Sequence, residues 1–557
     1  MRERKSVNKL CMYITNIKAL IVVLPMLFAG FMLAQLALKD TLPRKQIENW
    51  RNFFLAITII GFMIPNFWLM LICISGAAYV FGAMEKSPPS IYLLLLCALP
   101  PTTLAIGGFG PINHLLSPSP QMVLGAALLI PCLFAGYRAR RDNAAGTNTD
   151  LFFALYAALM VVLAFRGTTF TDGIRGALTF SLVTIPQYYV LSRWSKSYED
   201  IKRITVAFVL ALLALCMVTL PEFVMSWHVY AGVEQIWAYA RDTTYISRGG
   251  FLRTYASLVN SITFGYVAML ALILSLPFVT QAKSKLWSGL VLFVFAVGLV
   301  TTFSRGPWMG AVIGSGLYVM LGPNGFSRSI RLGIAGFIGA LLVSPTPIGT
   351  AIFEILPFVG GGEATGTIDY RQELFNVGSR VMLDHPWFGS EDYLQREDMQ
   401  TLIQGQGIID IVNSYLRIGL NSGFIGLGLF LGVQFSALFG LWKAMRRTRH
   451  LLPELSALCR AYFSALFAML VVLATTSSVP PIDTLNFVIP ALALAVHRVS
   501  ITELAKLSAV PDGDTPTEPS SETIAPTKPK QKNKPVWEKS NTGGQRAIPK
   551  HLQQYTK

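Results

Sequence analysis

Apolar runs about 17–25 residues long recur from Ile17 almost to residue 500, each long enough to cross a hydrocarbon layer roughly 30 Å thick. Inside such a layer the backbone finds no water to bond to, so runs of this kind are driven to be helical. Only 14% of the 557 residues are charged, against roughly a quarter in a soluble protein, and the mean hydropathy is +0.50. The chain therefore reads as an all-α, polytopic integral membrane protein. Its first apolar run, Ile17 to Leu38, lacks a small-residue cleavage site and continues into further spans, so no cleavable signal is expected.

A net charge of +16 would suit nucleic acid, but the basic residues gather in short loops and in the C-terminal stretch. Membrane orientation demands that arrangement, and no nucleic-acid partner is expected. Cys11, Cys73, Cys97, Cys132, Cys216 and Cys459 lie in or beside apolar runs, which implies neither a disulfide framework nor a metal site.

Orientation reads backwards from the end of the chain. Residues 501–557 are expected to form a cytoplasmic, disordered basic tail, rich in Pro, Thr, Ser, Lys and Gln. The stretches KAMRRTRH, PNGFSRSIR, QAKSKLW, RWSKSYEDIKR and YRARR then fall on the same side, and the loops between them on the other. This divides the chain into N-terminal spans (1–221), a first outer loop (222–257), spans joined by a Ser304-Arg305-Gly306 turn (258–345), a large outer loop (346–412) and C-terminal spans (413–500). About 14 spans are expected, with a range of 12–15. The count is least settled at 53–83, where Ile64-Pro65-Asn66 permits either one broken helix or two short spans.

Arginine is the unusual residue on the outer side. Positive charge is normally held back from that face, yet Arg248, Arg305 and Arg371 all fall there. Arg305 could simply reach the headgroups, but a guanidinium remains charged and binds phosphate through a bidentate fork. Convergence of these arginines would suit a pyrophosphate. The acidic excess of the large loop follows from orientation alone.

Three stretches, taken in order, resemble the O-antigen ligase and polysaccharide polymerase superfamily of bacterial inner membranes. They are RGGFLRTYASLVNSITFGY (248–266), TFSRGPWMG (302–310), and the arc from YRQELFNVGSRVMLDHPWFG (370–389) to DIVNSYLRIGLNSGFIGLGLF (410–430). The resemblance implies a GT-C-like helical glycosyltransferase with a large periplasmic loop, working at the periplasmic face of the inner membrane, with the C-terminus cytoplasmic. The donor would be an undecaprenyl-pyrophosphate-linked glycan, with no metal or other cofactor. The acceptor would be a second lipid-linked repeat unit for a polymerase or lipid A-core for a ligase. Membrane lipids are implied as partners, with chain-length regulators and export proteins as candidates.

Ligases of this superfamily often carry His immediately before the Asn, as a candidate base. Valine stands there in this chain, at position 412, and cannot take a proton, which favours the polymerase reading. Arg305 and Arg371 are the expected stabilisers of the leaving pyrophosphate, with Arg248, Arg253 and Arg380 as further substrate-binding candidates. Asp410 or Glu363 could act as base. His385 is a further candidate, although the Pro-Trp-Phe-Gly after it reads more readily as a structural turn. Asn413 and Tyr415 could orient sugar hydroxyls, and Asn413 could equally cap a helix. Trp227, Tyr230, Trp237, Tyr239 and Tyr245 could stack on sugars, though an interfacial belt explains them better. A lipid-linked oligosaccharide flippase is the reading from another class. No convincing internal repeat supports it, and the candidate charges lie at one face rather than at mid-membrane.

Overall fold

A computed structural model describes residues 2–108, 114–139, 147–167, 169–237, 247–248, 250–258, 260–346, 362–404, 407–477 and 479–508. Helices dominate, as desolvated backbone requires. They are α1 (Arg2–Ala37), α2 (Arg44–Met63), α3 (Phe67–Met84), α4 (Pro88–Leu95), α5 (Pro120–Ala139), α6 (Asn148–Leu163), α7 (Phe170–Trp194), α8 (Tyr198–Val224) and α9 (Ala231–Ile236). A two-stranded hairpin follows, β1 (Ser247–Arg248) against β2 (Phe251–Leu252). Then come α10 (Ser261–Gln281), α11 (Lys285–Val300), α12 (Arg305–Met320), α13 (Gly325–Val343), α14 (Gly362–Asp384), α15 (Glu397–Gln400), α16 (Ser414–Thr448), α17 (Pro453–Leu473) and α18 (Ile482–Ser508).

Among the described residues nine helices are long and apolar enough to cross a membrane, and this is a multi-pass membrane protein. Two shorter apolar helices, Pro120–Phe134 and Lys285–Val300, stand beside them. Other helices fall outside that set for visible reasons. The helix α2 carries Arg44, Lys45, Glu48 and Arg51, α7 carries Asp172, Arg175 and Arg193, and α12 has only 16 residues. The 53–83 region resolves into two helices, since Ile64 is extended and the Asn66 side chain caps α3. The last helix continues past residue 500 to Ser508, while the expected tail from 509 onward lies outside the described residues.

Burial ranks the helices. The apolar windows of α8, α10, α17 and α18 are 83%, 89%, 72% and 78% buried, so these four form the centre, whereas that of α13 is 0% buried. Helices α10, α12 and α17 pack against one another, which brings the N-terminal ends of α10 and α12 beside the C-terminal end of α17. A second, smaller apolar cluster of Leu374, Val377, Val381, Tyr393, Met399, Leu402, Ile411, Leu416 and Leu420 anchors α14 and the segment after it onto the start of α16.

Candidate active site

The site lies where α11 ends and α12 begins. Thr301–Ser304 form a tight turn, with Phe303 at φ 48°, and Arg305 is the first residue of α12 rather than a loop residue. Ser304 makes no capping side-chain bond to this helix, whose first turn is the positive end of its dipole. Gly306 lets the start of α12 sit against the turn after α17: a Cβ there would meet Thr475 Oγ1 at 2.7 Å.

Arg371, on α14, reaches the same turn and donates from Nη2 to the Thr475 carbonyl at 3.3 Å. Its Nε is buried without a hydrogen-bond partner among the described residues. Burial, and then the like charge of Arg305, lower its pKa, while Asp410 opposes the shift. Asp410 is held from two sides, its carboxylate accepting from Ser477 Oγ at 2.6 Å and its carbonyl from the Tyr370 hydroxyl at 3.0 Å. Two cations and one carboxylate therefore meet over residues 475–477, and the local field is net positive.

Arg248 and Arg253 belong to the wall of this site. Arg248 donates to the Phe303 carbonyl at 3.1 Å, and Arg253 to the Thr302 carbonyl and Ser304 Oγ at 3.1 and 3.0 Å. Cations at the carbonyl end of α11 also suit its dipole. Burial, with Arg248 adding to it, pushes the pKa of Arg253 down to about 10, so it remains charged at neutral pH. Thr254 completes the brace by bonding both the backbone and the hydroxyl of Thr301.

Asn413 is the N-cap of α16, its Oδ1 accepting from Tyr415 and Leu416 N–H at 3.0 and 3.2 Å. The Tyr415 hydroxyl donates to Leu470 in α17 at 2.6 Å, a contact between helices. Val412 stands half-buried between Asp410 and this cap. Arg380 is exposed and bonds the carbonyl of Asn376 in its own helix, away from the cluster.

His385 is also exposed, and the turn it opens has a mechanical task. Gly423 interrupts α16 at φ 66°, and Phe424 N–H and Ile425 N–H donate to Pro386 and Trp387 carbonyls at 2.7 and 3.3 Å. Gly389, at φ 67°, lies so close to the break that a Cβ would come within 2.3 Å of the Leu420 carbonyl oxygen. Arg166 clamps both sides, donating to Phe388 and Asn421 carbonyls at 2.6 Å each.

Tyr230 and Trp237 are 1% and 2% exposed, and Trp237 Nε1 donates to the Ile64 carbonyl at 3.1 Å. They are core residues, in neither an interfacial belt nor a sugar platform. Tyr239, Tyr245 and the Glu363 side chain lie outside the described residues.

Sequence reading missed Ser477, Tyr370, Arg166 and Glu222. Glu222 is fully buried and accepts from Tyr255 and Ala256 N–H at 3.1 and 2.9 Å, with His228 Nδ1 3.2 Å from its other oxygen. It therefore holds the loop that carries Arg253. A carboxylate on an otherwise apolar helix end was its only signal. Among the described residues no group of acidic, His or Cys side chains is arranged to hold a metal.

Fold and site together define a multi-pass helical membrane protein with a cationic, helix-terminus site at one end of its bundle. Residues 290–431, about a quarter of the chain, match the family model described as O-Antigen ligase. That match is consistent with the O-antigen ligase and polymerase superfamily. No curated protein matches it.

Proposed function

We propose that the protein is a periplasmic-face glycosyltransferase of the bacterial inner membrane. It joins undecaprenyl-pyrophosphate-linked repeat units into a surface polysaccharide. The observation that carries this reading is the meeting of Arg305 and Arg371 at the start of α12. Two neighbouring guanidinium groups repel each other, and a bound pyrophosphate relieves that repulsion while matching both forks.

In the reaction, an acceptor hydroxyl attacks the anomeric carbon of the donor sugar. The bond from that carbon to the pyrophosphate oxygen breaks, and undecaprenyl pyrophosphate leaves with the bonding pair. Arg305 and Arg371, beside the positive end of the α12 dipole, stabilise the charge that develops on it. Asp410 takes the hydroxyl proton, with Ser477 and the Tyr370–carbonyl bond fixing its position. Arg248 and Arg253 act indirectly, by keeping the 301–304 turn in shape.

The family also contains ligases, which transfer the glycan to lipid A-core. Val412 favours polymerisation, because a His at that position would offer ligases a base. The test is a reaction of purified protein with an undecaprenyl-pyrophosphate repeat unit as sole substrate, separating products by length. A ladder of longer lipid-linked chains, absent in Arg371→Ala, is expected. Transfer only after lipid A-core is added makes the protein a ligase. Inactivity under both conditions, with the lipid-linked substrate instead moved across proteoliposomes, makes it a flippase.

A further inference from the structure

The helices that meet at the arginine pair also meet at their other ends, around a cavity of about 460 Å³. Thr280 at the end of α10, Tyr318 and Val319 at the end of α12, Gly322 and Pro323 in the following turn, Arg328 and Arg331 on α13, and Arg460 on α17 line it. Arg328 and Arg331 are exposed and three residues apart, so they share one face of their helix. Arg460 comes from the opposite wall, its guanidinium 4.7 Å from the Tyr318 ring and Nη1 3.5 Å from the Tyr318 carbonyl. No carboxylate is among the lining residues.

Topology alone explains basic residues in a cytoplasmic loop. It does not explain why three arginines from two helices face one cavity, nor why Arg460 lies two turns inside α17. A cavity bounded by three guanidinium forks, Val319, Pro323 and an aromatic ring matches a phosphate group attached to an apolar or glycerol body. We infer that this cavity binds the phosphate of an anionic ligand, as an anionic phospholipid headgroup or a soluble phosphate would present it, at the bundle end opposite the transfer site. The inference is independent of the transfer reaction. Arg328 and Arg331 would hold the phosphate from one side and Arg460 from the other, tying the otherwise unburied α13 to α17.

Native mass spectrometry of the full chain, stripped of lipid in neutral detergent, tests it. The probes are dioleoylphosphatidylglycerol, dioleoylphosphatidylcholine and inorganic phosphate. Wild type should show one saturable phosphatidylglycerol adduct and none with phosphatidylcholine. The exposed-residue variant R328Q/R331Q should weaken it about tenfold or more, the loss of one or two charge-assisted bonds. Arg460→Gln should do likewise, while Arg449→Gln, a cation outside the cavity, should bind as wild type. Saturation by inorganic phosphate and not by the lipid would uphold the phosphate site and assign it to a soluble ligand. Equal binding of both lipids, unchanged binding by R328Q/R331Q, an equal loss in Arg449→Gln, or no saturable binding of any probe would overturn the inference.

Discussion

At Arg371 the local physics states the purpose of the site most directly. Its guanidinium is partly stripped of water, stands near a second cation, and leaves Nε buried without a partner among the described residues. Replacing it with Ala should lower transfer by about 10²–10³-fold, the usual effect of removing one group that stabilises developing charge. Arg371→Lys should recover only part of this, since an ammonium lacks the fork. Asp410→Asn should lower turnover by about 10²–10⁴-fold while leaving donor binding intact, the loss expected when a general base is removed. The arginines stood out in the sequence because the expected orientation puts them on the face where positive charge is out of place. The carboxylate's holders were not, since Ser477 and Tyr370 are 67 and 40 residues from Asp410 and bear no local signature. Nor does the sequence show which cation braces a turn: the bonds of Arg253 to residues 302 and 304 are visible only in the structure.

Among the elements, the break in α16 is the feature that most needs its particular residues. At Gly423 a side chain would be strained by a φ of 66° and would collide with the Trp387 backbone at 2.3 Å. Gly423→Ala should therefore destabilise the protein by on the order of 1–3 kcal/mol or more, seen as a lower Tm in detergent. Arg166→Gln should lower Tm by a comparable or smaller amount, because two charge-assisted bonds across the break are lost. The His-Pro-aromatic-aromatic-Gly stretch was readable as a turn, and Asn413 as a helix cap, because Pro, Gly and Asn act through local backbone geometry. Their partners were not readable, because a bond from Arg166 to Asn421 spans 255 residues. The same limit applied to Tyr230 and Trp237, whose burial depends on packing that aromatic character alone does not report.

For the whole molecule, a helical membrane protein was legible from composition alone, since desolvated backbone leaves little choice. Span number was less so, because length and apolarity do not determine how charged helices such as α2 and α7 are accommodated. The proposed topology predicts that a cysteine introduced at Ser390 reacts with a membrane-impermeant maleimide in intact cells. One introduced at Arg449 should react only after permeabilisation, and the reverse pattern would invert the orientation. The most direct test of the central claim compares the affinity of undecaprenyl pyrophosphate with that of undecaprenyl monophosphate in wild type, Arg305→Ala, Arg371→Ala and the off-site Arg380→Gln. The arginine pair predicts a clear preference for pyrophosphate in wild type and Arg380→Gln, reduced about tenfold or more in either site variant. Equal affinity for the two lipids, or an unchanged preference in both site variants, would contradict it.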